Sequence, residues 1–398
     1  MELKMYKKIA SCFFLILVVF TAVYSQTVPD YYADDIYFIT GVDSGLGGPY
    51  PTDNSGLESL FANPAAFKSA EEQLSIANST IQLKGPIFDI ATLVIGSLSG
   101  GGDFASILSS PSTQSILSSL YSGFTLTGPL YFGYIGDGFG FGLFNSTDFL
   151  LQGTGALSLS MELSEQVVLA GGYAFRIPLT PDEAHAIDLG VMLKGGVGGD
   201  IIIAKSFLEL PAMLASIGPD LILGEPFDFS TIIGIDAGVL YRWEDFLSAG
   251  ISLQDVFSPT VKYTYSSGLT GFLSSETPVV TTGVIPFKLN AGAEISPKIP
   301  FLEQWVTNLR FALAYDDILD FLLYPTEAVN PLLHVKMGLE ITMLEILDIR
   351  VGLAEGLLNA GFGLDLQIFT LNAAMFGSEL SSQPGTNPVY NLVVGFSF

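Results

Sequence analysis

From about residue 73 onward, apolar and polar residues alternate with a period of two. Phe287, Leu289, Ala291, Ala293 and Ile295 interleave with Lys288, Asn290, Gly292, Glu294 and Ser296. Leu333, Val335, Met337, Leu339 and Ile341 interleave with His334, Lys336, Gly338, Glu340 and Thr342. Leu347 to Ala354 and Phe362 to Ile368 behave in the same way. Successive side chains of a strand point to opposite faces, so each segment has one apolar and one polar face. Similar segments occur at 73–84, 87–96, 124–135, 155–163, 167–177, 186–196, 232–243, 246–255, 261–267, 308–316 and 369–377. Their lengths lie near the ~9–11 residues with which a tilted strand crosses a bilayer. The polar positions are mostly Gly, Ser, Ala or a single charge, which suits a crowded lumen better than the Lys/Glu/Thr-rich face of a soluble sheet. The pattern predicts an all-β fold, a transmembrane antiparallel β-barrel of about 14 strands over residues 73–398.

Two stretches break the rhythm. Residues 97–120 carry Ile107, Leu108, Ile116, Leu117 and Leu120 at near-helical spacing, and residues 205–223 carry Phe207, Leu208, Leu210, Met213, Leu214 and Ile217. Each reads equally as a short amphipathic helix or as a locally collapsed loop. In a barrel they are candidate ligand-capture loops for an apolar molecule.

Residues 26–72 differ again. The acidic-aromatic patch Asp30-Tyr31-Tyr32-Ala33-Asp34-Asp35 precedes a Gly/Pro-rich run from Gly41 to Pro51, where turns are favoured over long strands. The expectation is a compact segment that plugs the barrel or leads into it. Residues 1–25 read as a signal peptide: Lys4, Lys7 and Lys8 precede an apolar stretch from Ile9 to Tyr24, and Val23-Tyr24-Ser25 offers a cleavage site after Ser25. Cys12, the single cysteine, lies there, so the processed chain has no thiol for a disulfide or a thiolate metal site. Beyond it no apolar run approaches the ~18–20 residues of a spanning helix, although 49% of residues are hydrophobic.

The net charge is −25, from 40 acidic and 15 basic residues, which argues against a nucleic-acid partner. The two histidines, His185 and His334, are far apart in sequence, and no nucleophile elbow or phosphate loop is present. The chain is therefore read as a non-enzyme with no metal site and no cofactor. Asp316, Asp317 and Asp320 could hold calcium, but a solvated turn is the commoner meaning of such a cluster. The polar faces carry both signs: Asp188, Lys194, Asp236, Arg242, Lys288, Glu294, Arg310, Lys336, Glu340, Asp348, Arg350 and Asp365. In a narrow interior such charges would pair across strands, which points to an occluded barrel and not an open pore.

The last segment places Tyr390, Leu392, Val394, Phe396 and Phe398 on one face. A final amphipathic strand with a terminal aromatic resembles the signal by which outer-membrane barrels engage the barrel-assembly machinery. Outer-membrane lipid is then the expected surrounding.

Gly45-Leu46-Gly47, followed by a Gly/Pro/Asp-containing spacer and by Phe61-Ala62-Asn63-Pro64-Ala65, resembles the N-terminal pattern of the FadL/TodX family of outer-membrane transporters. The resemblance implies a 14-stranded barrel with an N-terminal hatch in which Asn63, Pro64 and Ala65 lie. It also implies transport of hydrophobic small molecules, such as long-chain fatty acids, with lateral exit into lipid. Gly45, Leu46, Gly47, Asn63, Pro64 and Ala65 become the candidate ligand-gating residues. The run from Arg350 to Leu364 resembles a broader group that includes PorV-like barrels, so the alternative is a non-transporting barrel that serves a secretion system or a surface interaction.

Overall fold

The computed structural model describes residues 29–36, 38–86, 120–153, 158–206, 223–300, 304–323, 325, 328–366 and 368–397. The expected signal peptide, Phe398 and most of both candidate capture loops fall outside them; Leu120 is described and is buried just before a wall strand, and Lys205, Ser206 and Leu223 are described at the ends of the second loop.

The strands are β1 (Tyr31–Tyr32), β2 (Gln73–Ser75), β3 (Asn78–Lys84), β4 (Tyr121–Gly136), β5 (Phe139–Gly153), β6 (Ser158–Pro178), β7 (His185–Ser206), β8 (Phe227–Trp243) and β9 (Leu247–Phe257). They continue as β10 (Pro259–Tyr265), β11 (Val279–Val284), β12 (Lys288–Ile295), β13 (Val306–Tyr315), β14 (Val335–Met343), β15 (Leu347–Ala354), β16 (Leu357–Asp365), β17 (Thr370–Glu379) and β18 (Pro388–Ser397). Neighbouring wall strands pair antiparallel, and β18 returns to β3, with Leu392 opposite Leu83 and Val394 opposite Ile81. The sheet is thus closed on itself and leaves no edge, as a spanning sheet must. β2 and β3 are halves of one wall strand, both facing β4; β9 with β10, and β11 with β12, are likewise interrupted single strands. Among the described residues the wall is therefore a closed ring of fourteen strands. β1 lies outside that count, parallel to β11.

The segment 87–96 lies outside the described residues, and the other strand segments read from the alternation reappear with three differences. The segments at 155–163 and 167–177 are one strand, β6, because Glu165 and Gln166 continue the ladder opposite Gly199 and Gly198. The segment 73–84 is broken into β2 and β3. β11 carries no clear alternation and is defined only by its partners. Strands β13 to β18 have 8–10 residues, close to one bilayer crossing, whereas β6 and β7 have 21 and 22 and stand well above it.

The outward positions are apolar and bare. Leu193, Val191, Leu313, Phe311, Val351, Phe362, Tyr390, Leu392 and Phe396 are all exposed large side chains on strands. Trp243, stacked on His185 and edge-on to Phe246, and the exposed Trp305, just before β13, lie at the same end of the barrel as part of an aromatic girdle. That end is the periplasmic one by the general build of such barrels, with long connections at the other. Leu313 is 53% exposed near the middle of a short strand, among lipid. Leu313→Arg is expected to destabilise the folded barrel by about 2–4 kcal/mol, readable in reversible denaturant unfolding from lipid. Arginine at the inward neighbour Ala312 would instead report on crowding in the lumen.

Candidate functional site

Ile36 and residues 38–68 pack against inward positions of opposite walls of the ring. A short helix, α1 (Gly41–Leu46), starts where the Thr40 side chain accepts from the Asp43 N–H at 3.1 Å and ends at Gly47, with φ of 99°. It packs on β14 to β18. A 3-10 turn over Pro64–Lys68 packs on β5 to β8. Asn63, 0% exposed, ties these parts together. Its Oδ1 accepts from the Ala65 N–H at 3.0 Å, and its Nδ2 donates to the Pro51 carbonyl at 2.6 Å. The same Nδ2 is 3.4 Å from the Val239 carbonyl and 3.5 Å from that of Ile251, both on the wall. Pro64 opens the turn, where a missing N–H costs nothing. The six residues Gly45, Leu46, Gly47, Asn63, Pro64 and Ala65 are thus all buried, at two separate docking points of one segment.

Glycines of the wall make room for it. A Cβ on Gly190 or Gly238 would overlap Pro64 or Asn63; on Gly352 it would overlap Leu46; on Gly250, Pro51. These glycines occupy inward positions, Gly190 directly opposite Gly238.

The two flanks of the segment are chemically different. Toward β4 to β8 it is apolar: Ile36, Phe38, Leu57, Leu60 and Phe67 join Tyr131, Ile135, Phe144, Val168 and Met192 in the largest buried cluster. Toward β12 to β16 it gathers ion pairs, beside a small apolar contact of Val42, Leu46 and Tyr50 with Ala312 and Ala314. Arg310 Nη1 is 3.0 Å from Asp53 Oδ1, and Glu294 and Glu340 lie at 3.6 and 3.5 Å from the same guanidinium. Arg350 binds Glu340 at 2.6 Å and Asp348 at 2.7 Å. The inward charges read from the sequence pair in this manner elsewhere too: Arg176 with Asp188, Lys194 with Asp236 and Asp255, Lys288 with Asp35, Lys336 with Asp316.

Two cavities flank the segment. On the periplasmic side, a vestibule of about 800 Å³ is lined by polar groups, among them Arg242, Glu294, Arg310, Glu340, Asp348 and Arg350. On the loop side, a chamber of about 470 Å³ has an apolar floor of Ile36, Pro49, Pro51, Phe61 and Ala62, with Val329 and Leu333 beside it. Its rim holds six carboxylates, Asp35, Asp255, Asp316, Asp317, Glu355 and Glu379, against three lysines, Lys194, Lys288 and Lys336, each already ion-paired. Asp316 and Asp320 are held by Lys336 and His334, so they do not converge on one point; among the described residues no group of ligating side chains could hold a metal ion.

A line of aromatic rings runs from the chamber floor to the wall. Phe61 lies 5.2 Å from Phe38 and 5.1 Å from Phe144, and Phe144 lies 4.7 Å from Tyr131 in an edge contact. At Tyr131 the wall itself is irregular. β4 loses register with β5 between Thr127 and Tyr131, and on its other edge the ladder stops at Thr80–Thr127 and resumes at Ser75–Gly133. Outside this interruption Ile76 is 71% and Leu130 54% exposed, both facing lipid. Sequence reasoning missed Phe38, Tyr131 and Phe144 as functional candidates; each is a plain aromatic in an alternating or loop context, with nothing local to mark it.

The molecule is a transmembrane β-barrel of outer-membrane type. No family model and no curated protein matches the sequence. Among solved structures it is similar to the CymD monoaromatic hydrocarbon channel, with 12% identity, a TM-score of 0.47, and coverage of 92% of this chain and 98% of that one. It is similar also to the Ralstonia pickettii toluene transporter TbuX, with 12% identity, a TM-score of 0.48, and coverage of 90% and 97%. A Pseudomonas aeruginosa FadL homologue shows 11% identity, a TM-score of 0.24, and coverage of 89% and 97%. At such values the architecture rests on the strand pairing itself.

Proposed function

We propose that this barrel carries hydrophobic small molecules across the outer membrane and that residues 36–68 form its hatch. The observation that carries the reading is the continuous aromatic line from the chamber floor at Phe61, through Phe38 and Phe144, to Tyr131 at the interrupted wall. An apolar molecule resting on the floor gains little by moving downward, because the vestibule below, although Tyr131 and Leu57 reach it, is lined mainly by polar and ion-paired groups. Desolvating those ions would cost more than the molecule gains. Sideways, the aromatic contacts lead to a stretch of wall whose backbone ladder is already broken, with Ile76 and Leu130 in lipid beyond it. A shift of the hatch would open that side, and the cargo would exit laterally. Gly45, Leu46, Gly47, Asn63, Pro64 and Ala65 set where the hatch sits and so act as gating residues. The C-terminal strand bearing Tyr390, Leu392, Val394 and Phe396 serves as the barrel-assembly signal. Long-chain fatty acids are one cargo of this class.

The test is uptake of labelled toluene and of a labelled long-chain fatty acid by a transporter-deficient host. Expression is expected to raise the initial rate for at least one of the two, and Phe144→Ala to lower it severalfold. Uptake equal to the empty vector for both would remove the proposal.

A further inference from the structure

We infer that the chamber above the hatch selects amphiphiles whose polar end donates a hydrogen bond, such as a phenol or an alcohol, over pure hydrocarbons and over carboxylates. The inference rests on the transport reading and narrows its substrate class. Its first support is the shape and lining of the chamber. A dry cavity of about 150 Å³ suffices for a benzene ring, so 470 Å³ leaves room for a body larger than one ring. The floor formed by Ile36, Phe61 and Ala62 accepts that body, but the rim is charged, which a pure hydrocarbon cannot use.

The second support is the sign of the rim. Lys288 and Lys336 are occupied by Asp35 and Asp316, and Lys194 by Asp236 and Asp255. The unmatched groups are acidic, so an anionic head entering the rim meets repulsion and a donor meets acceptors.

Asp317 is the third. It sits in a turn between β13 and β14, and among the described residues its Oδ1 is shielded from water with no hydrogen-bond partner. Burial pushes its carboxyl up to about 6, against the attraction of Lys288 and His334 and with the charges of Asp320 and Asp35 nearby. A buried carboxylate short of donors is completed by a ligand that brings one. Its φ of 45° is one that Asn also tolerates, so Asp317→Asn changes the charge while keeping the turn.

The experiment uses the full barrel in lipid nanodiscs and three probes with one body: naphthalene, 2-naphthol and 2-naphthoate, with empty nanodiscs subtracted. At pH 7.5 the wild type is expected to bind 2-naphthol about tenfold more tightly than either of the others. Asp317→Asn, which loses the charge but keeps an amide oxygen, should lower that preference severalfold, with heat-modifiable migration showing that the variant is folded. In the wild type, 2-naphthol binding should weaken as the pH falls through about 6, because protonation removes the negative charge that strengthens the hydrogen bond and turns one carboxyl oxygen into a donor. Binding of naphthalene or 2-naphthoate as tight as that of 2-naphthol, or an unaltered preference in Asp317→Asn, would overturn the selectivity and leave the transport reading standing. Binding of none of the three would take the transport reading down with it.

Discussion

Deletion of residues 41–67 is expected to turn a nearly closed barrel into a conducting one, with single-channel conductance in planar bilayers rising at least tenfold over the intact protein. The segment contributes lining residues both to the chamber of about 470 Å³ and to the vestibule of about 800 Å³, and in the proposed reading it divides them. Its removal joins the two into one passage, and the wall it leaves behind is already wettable: Arg310, Glu294, Glu340 and Arg350 line it. Asp53 leaves with the segment, so Arg310 keeps only Glu294 and Glu340 as partners, and water fills the space once occupied by Leu46, Tyr50 and Phe67. The ring of strands does not depend on the segment for its hydrogen bonds, because each wall strand is paired on both sides by other wall strands. The deleted barrel should therefore still assemble, with the heat-modifiable migration of a closed barrel. An assembled deletion variant with unchanged conductance would show that residues 41–67 do not block the lumen.

Gly238→Val is expected to unseat the same segment without a deletion. A Cβ at Gly238 would overlap the Asn63 side chain, and Asn63 is the residue that links the Pro51 carbonyl, the Ala65 N–H and the wall. The wall strand cannot yield, since β8 is laddered on both edges, so the segment must move. Overpacking of this kind costs about 1–3 kcal/mol, enough to displace a segment held by local contacts. Hydrogen exchange should show residues 36–68 losing protection while the β8 amides keep theirs, and conductance should rise toward that of the deletion. Gly190→Val, which meets Pro64 and Ala65, should act alike. Gly195→Ala is the control: its nearest neighbour is a carbonyl oxygen at 3.8 Å, so it should be silent. Normal protection of residues 36–68 in Gly238→Val would mean that the glycine positions do not set the seat.

Much of the architecture was legible before any coordinate was known. Lys288, Glu294, Arg310, Glu340 and Arg350 fall on the polar parity of their strands, and parity alone sends them into the lumen, where they pair as the mixed signs implied. The glycines that seat the segment share that parity: Gly190, Gly238, Gly338 and Gly352 alternate with Val191, Val239, Leu339 and Val351. The aromatic line was not legible. Phe38, Phe61, Tyr131 and Phe144 come from the inner segment and from two strands, and no local pattern relates them. Asp317 stands out in the sequence only as part of an acidic cluster; its separation from Asp316 and Asp320, held by Lys336 and His334, depends on how the β13–β14 connection folds.

What the sequence by itself determined is which side of the wall each residue faces and that the wall must close. A period of two is a local property of an extended backbone, and a spanning sheet cannot leave its edge groups unpaired. What only the tertiary structure decided is height. Register fixes which inward residues share a level, and hence where glycines meet the inner segment, where rings touch and where the β4 ladder fails. Short turns fix register within a hairpin, but where separate strands meet the inner segment, and the β18–β3 closure, depends on residues far apart in the chain, so no window of sequence contains it.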